Sequence, residues 1–184
     1  MIRAVADNPA RVTRPGRMSP PEGYSTMLRM ALFALACCAC ALVIGGCTRE
    51  QAAELVTYGG INAIRRANGL PPLTPDAKLV QIARIRSQDM ATNHYFSHNP
   101  PNGCNFGCLI DEYEGPHQFA GENIAWNTYP WSQTAQVAVQ MWRDSPSHFE
   151  NIVNCHYQRF GTGVAQSDDG KIYYTMIFEG AASC

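Results

Sequence analysis

The sequence predicts one α/β domain whose sheet is covered on both faces. Three features carry that prediction: apolar residues at helical spacing through the middle of the chain, two strand-like segments at its end, and a last strand that is apolar on both sides. The chain has 184 residues, 46% of them apolar and 16% charged, which allows one domain with a real core.

Residues 1–26 are rich in Arg and Pro (Pro9, Pro15, Pro20, Pro21) and show no periodicity. They fit a start codon assigned too early, with Met27 as the true start, or else a disordered tail. Arg29 then precedes the apolar run Met30–Ile44, which is shorter than the roughly 20 residues that span a bilayer. A basic flank, an apolar run and small residues at its end are the layout of a secretory signal. The ending Ile-Gly-Gly-Cys resembles the bacterial lipobox, in which the Cys becomes the N-terminus and carries a diacylglyceryl group as a thioether. On this reading residues 27–46 are a lipoprotein signal peptide and Cys47 is the lipidation site. Residues 47–53 are then a tether and 54–184 the domain, held at the outer face of a membrane in the cell envelope. A plain signal peptide or an anchor helix is the alternative. Cys37, Cys38 and Cys40 leave with the signal.

Residues 50–67 read as the first helix, with Val56, Gly60, Ile64 and Ala67 as its stripe and Asn68-Gly69 as its stop. Leu70-Pro71-Pro72-Leu73 is extended, because proline biases the residue before it away from helix. Thr74 is the expected N-cap of a second helix with Pro75 in its first position, and Leu79, Ile82, Ala83, Arg86 (by its stem) and Met90 form the buried stripe. Residues 99–119 hold Pro, Gly, Asn and two Cys and read as a long irregular loop. Thr134–Trp142 is a third helix, and Ser145-Pro146 opens a short fourth. Strands at Phe160–Gln166 and Lys171–Phe178 are joined by Ser-Asp-Asp-Gly. In the second, Ile172, Tyr174, Met176 and Phe178 alternate with Tyr173, Thr175 and Ile177, so both faces are largely apolar and the strand belongs inside a layered sandwich.

From Cys47 onward nine Lys/Arg stand against thirteen Asp/Glu. That balance excludes a basic nucleic-acid surface and a polybasic membrane patch, and a monomer is expected. Cys104, Cys108, Cys155 and Cys184 remain after export, an even number that implies two bridges with three possible pairings. A four-Cys zinc site is disfavoured because exported thiols oxidise. Cys104 and Cys108 are close enough in sequence to meet, and a Cys155–Cys184 bridge would hold the chain end, so these two pairs are expected.

Five His are present. His94 and His98 are spaced as a helical pair, but a zinc protease helix needs Glu where Tyr95 stands. His117 and His156 lie in polar loop contexts and read as hydrogen bonders. Five stretches then resemble, in the right order, the bacterial form of the superfamily of cysteine-rich secretory proteins, antigen 5 and pathogenesis-related-1 (CAP, or SCP-like) proteins. They are Arg65–Leu73 (RRANGLPPL), Asp89–His98 (DMATNHYFSH), Gly121–Ala125 (GENIA), Trp142–Ile152 (WRDSPSHFENI) and Phe160–Ala165 (FGTGVA). The resemblance covers roughly residues 52–180 and implies a three-layer α-β-α sandwich. It also implies a cleft of two His and two acidic residues, here His98, Glu122 and His148. Ser145 stands at the second acidic position with Asp144 just before it, a departure common among bacterial relatives. Asn123 and Asn151 match the motifs as residues that fix loop geometry.

Two imidazoles and a carboxylate are suited to a divalent metal, Zn2+ or Ca2+, with Asp144 as a helper from behind, and equally to a hydrogen-bonded structural cluster. Two functions follow. One is a non-catalytic module, tethered to the membrane through Cys47, that binds a ligand, lipid or protein partner at this cleft. The other is a hydrolase in which Glu122, a His or a metal activates water, with His98, Glu122 and His148 as its catalytic candidates. Only one carboxylate is clearly placed for acid–base work, which favours the binding module. A Ser145 or Ser147 nucleophile beside His148 is the weakest variant, since no G-x-S-x-G-like turn surrounds either.

Overall fold

The computed structural model describes residues 46–182 and 184, and the expectations placed on residues 1–26 and on the export segment through residue 45 lie outside them. In chain order the described residues form α1 (Arg49–Ala67), β1 (Thr74–Pro75), α2 (Ala77–Thr92), α3 (Phe106–Tyr113), β2 (Phe119–Asn127), α4 (Thr134–Asp144), α5 (Pro146–Ile152), β3 (Tyr157–Gln166) and β4 (Ile172–Gly180). The strands make one sheet in the order β1-β3-β4-β2, antiparallel except for the parallel pair of β1 and β3. Among the described residues no helix is long and apolar enough to cross a membrane.

The alternation in β4 explains the layers. Ile172 to Glu179 are all buried. Tyr174, Met176 and Phe178 pack with Ile61 of α1, Ala135, Ala138 and Trp142 of α4 and Ile152 of α5. Ile177 packs with Leu79, Ile82 and Ala83 of α2 and Ile110 of α3, and Tyr173 with Met90 and Ala91 of α2. The molecule is therefore the expected α-β-α sandwich.

Several elements differ from the sequence reading. Helix α1 begins at Arg49, capped by Thr48 in a reciprocal box with Gln51, so most of the expected tether is its first turns. Its buried stripe is Ala53, Thr57, Ile61 and Arg65, while Val56 and Ile64 lie at the margin and Ala67 is exposed. Polar residues conceal that stripe. Thr57 Oγ1 donates to the Ala53 carbonyl, and Arg65 donates to the carbonyls of Pro71, Ile152, Asn154 and Tyr157. Thr74 and Pro75 form β1 instead of opening α2, and the cap is Asp76, whose carboxylate accepts from the amides of Lys78 and Leu79.

The stretch read as irregular contains α3, whose Asn105 cap accepts from the Cys108 amide. It also leads into β2, an edge strand whose buried Glu122, Asn123 and Asn127 mask its periodicity. Cys104 and Cys108 form a disulfide, as do Cys155 and Cys184. Helix α2 lies against β3 where side chains are missing. A Cβ on Gly161 would overlap the backbone of Leu79 and Val80, and one on Gly163 that of Ala83 and Arg84.

Candidate functional site

Strand β2 lies at the edge of the sheet and carries the candidate residues Glu122 and Asn123. Successive strand residues point to opposite faces. Glu122 is turned toward α2 and the loop after it, whereas Asn123 is turned toward α5 and donates through Nδ2 to the His148 carbonyl at 3.0 Å. Asn151 Nδ2 donates to Asn123 Oδ1 at 2.8 Å, so both Asn hold α5 on the strand.

The Glu122 side chain is wholly buried and both of its oxygens are engaged. Oε1 accepts from Arg86 Nε at 2.9 Å, and Oε2 lies 2.7 Å from His98 Nδ1. The buried carboxylate thus holds the His98 ring through Nδ1. Arg86 is 1% exposed along its side chain, and it also donates to Tyr95 Oη, the Ser97 carbonyl and the His98 carbonyl. One guanidinium thus balances the carboxylate and fixes the loop that carries His98. Burial opposes the Arg86 charge, but Glu122 and Tyr95 beside it hold the guanidinium above its ordinary range. Tyr95 in turn donates to the Asp89 carboxylate, and burial followed by that bond pushes the phenol up to about 12.

His148 is the third residue of α5, and its Nδ1 lies 2.8 Å from Ser145 Oγ. Its pKa is pulled down to about 4, first by burial and then by the charge of His98 facing it. Ser145 makes no capping bond with its side chain, and its hydroxyl is turned to His148 instead. Asp144 is exposed and accepts from Gln140 Nε2 at 2.7 Å.

His94 and His98 share no helical face, because α2 stops at Thr92. His94 has φ 53° and pairs with Asp168 at 3.3 Å. His117 bonds Asp111, and His156 stacks on Phe119 and reaches the Ala181 carbonyl. Among the described residues, the sets of three potential ligands whose atoms all lie within 4.8 Å of one another are Cys155–His156–Cys184 and His94–Asp168–Asp169. The sulfurs of the first are joined in a disulfide, and the second is exposed with Lys171 on Asp169. His98, Glu122 and His148 do not form such a set.

Sequence reasoning missed Arg86, taken for a residue buried by its stem, and the contact of Ser145. A signal for Arg86 existed, since an Arg on an otherwise apolar helical stripe needs a buried anion or a set of acceptors.

A family model described as CAP, the cysteine-rich secretory protein family, matches residues 58–178. The "Uncharacterized protein YkwD" of Bacillus subtilis (strain 168) is 34% identical over 106 residues, 58% of this chain and 40% of that protein. The "Uncharacterized membrane protein YlbC" of the same organism is 38% identical over 120 residues, 64% of this chain and 31% of that protein. The matches therefore span well under half of each relative's length. A solved extracellular protein containing a SCP domain from Bacillus anthracis str. Ames superposes with TM-score 0.61 at 30% identity, over 72% of this chain and 41% of that one.

Proposed function

This chain belongs to the cysteine-rich secretory protein (CAP) family, and from that premise we propose that it is a lipid-tethered, non-catalytic module that binds its ligand at the His98–His148 cleft. We further propose that a divalent transition metal sits between the two imidazoles. The supporting observation is that each ring is tied through Nδ1, to Glu122 at 2.7 Å and to Ser145 at 2.8 Å, which leaves both Nε2 atoms for a ligand. A His whose far nitrogen is held by a carboxylate is the usual arrangement behind a metal ligand. The donor set fits Zn2+, which takes imidazole nitrogen, and not Ca2+, which takes six to eight oxygens. Glu122 is then a positioning residue, since Arg86 and His98 occupy its oxygens. A bound metal would supply a Lewis-acid centre for a ligand oxygen. The tether rests on the Ile-Gly-Gly-Cys ending of the export segment and on α1 starting two residues after Cys47.

The 2.8 Å approach of Ser145 Oγ to His148 has the form of a nucleophile–base pair and favours a hydrolase as the second reading. It ranks lower because an imidazole held near pKa 4 is a weak base at neutral pH. Glu122 offers no free oxygen to water.

Zinc titration of the purified protein by calorimetry tests the metal. One Zn2+ per chain is expected, abolished in His98→Ala and in His148→Ala and weakened about 10–100-fold in Glu122→Gln, the usual loss for a residue behind a ligand. Equal affinity in the His98→Ala protein would overturn the metal assignment.

A further inference from the structure

One end of the sandwich gathers features that neither the cleft nor the core uses. Asn127, Ile172 and Gln166 are register partners and mark that end of the sheet. Arg49 Nη2 donates to Gln166 Oε1 at 3.0 Å, which fixes the start of α1, and hence Cys47, at the same end. The Arg49 guanidinium lies over the Trp131 ring at 4.5 Å, and Lys171 Nζ lies 5.4 Å from the centre of the Trp126 ring. Both indoles are half-buried, packed inward on the core edge and open outward. The anion-binding capacity of the cations is largely spent, because Arg49 pairs with Glu50 and Lys171 with Asp169, while Asp168 pairs with His94.

We propose that this end docks on a lipid bilayer, with Trp126 and Trp131 seated at the level of the headgroups. Indoles favour that zone because one side of the ring is apolar and the N–H is polar. The site of Cys47 says what covers the face: on the tethered reading above, on which this inference rests, the acyl chains enter the membrane within two residues of Arg49. An anchor that short leaves the domain little room to stand away from the lipid. With the cations already paired, docking depends on the rings and not on anionic lipid, so zwitterionic vesicles suffice and added salt changes little.

The test is tryptophan fluorescence of the membrane-extracted protein reconstituted into phosphatidylcholine vesicles, with and without brominated acyl chains. The chain has three Trp, and Trp142 is fully buried in the core. Wild-type emission should be quenched by the brominated lipid, and the quenching should be lost in Trp126→Phe/Trp131→Phe, where only Trp142 emits. Equal emission in the two vesicle types, or quenching that persists in the double variant, would overturn the docking. Should the double variant fold poorly, equal wild-type emission in the two vesicle types still overturns the docking, and loss of part of the quenching in each of Trp126→Phe and Trp131→Phe supports it. Intact mass of the same sample reports separately on the tether: an acylated Cys47 without quenching refutes docking alone, and an unmodified Cys47 refutes the tether alone.

Discussion

At the scale of single residues, His148 couples stability to pH. Its pKa falls from an ordinary 6.5 to about 4 in the folded chain, because burial and the neighbouring charge of His98 oppose protonation. Between those values the unfolded chain holds a proton that the folded chain does not, so stability rises with pH in that window and is lost as pH falls through it. Urea midpoints should therefore decline from about pH 6.5 toward pH 4, and His148→Gln should flatten the decline. An unchanged slope in that variant would sink the assignment. The 2.7 Å contact of His98 with Glu122 joins two residues that each lie in a sequence motif of their own. Arg86 was not legible in this way, because helical periodicity reports that a position is buried and is silent about what a buried charge meets there.

Among the elements, the contact of α2 with β3 is made by absence. Backbone meets backbone where Gly161 and Gly163 face Leu79 and Ala83. Gly161→Ala must push the helix off the sheet, and overpacking of this kind costs about 1–3 kcal/mol, read as a lower urea midpoint with unchanged slope. Wild-type stability in that variant would show that the helix rides freely on the strand. Helix α2 and strand β4 were legible since their apolar residues repeat at 3.6 and 2. Helix α1 was found with its face misplaced, because Thr57 and Arg65 hold buried positions by hydrogen bonding to carbonyls. Strand β2 and helix α3 were hidden for related reasons: the strand buries Glu122, Asn123 and Asn127, and the helix follows a Pro, Gly and Asn stretch.

For the molecule as a whole, the Cys155–Cys184 bridge ties the chain end beyond β4 to the turn between α5 and β3, closing a separation of 29 residues. Its loss in Cys184→Ser should lower stability by about 2–4 kcal/mol, measured by thermal or urea unfolding under non-reducing conditions. A loss no larger than in Cys104→Ser, whose bridge spans a separation of only 4, would refute the view that the long bridge matters more. The place of Glu122 along β2 carries a further consequence. Glu122 stands five residues along β2 from Asn127, about 17 Å at the rise of a strand. A sandwich resting on its Asn127 end is a pedestal of fixed height. On the proposed docking, Glu122 stands above the headgroup layer, which is roughly 5–8 Å deep. On the proposed function, a ligand would then reach the His98–His148 site from the aqueous space over the membrane, and not by rising out of the lipid below.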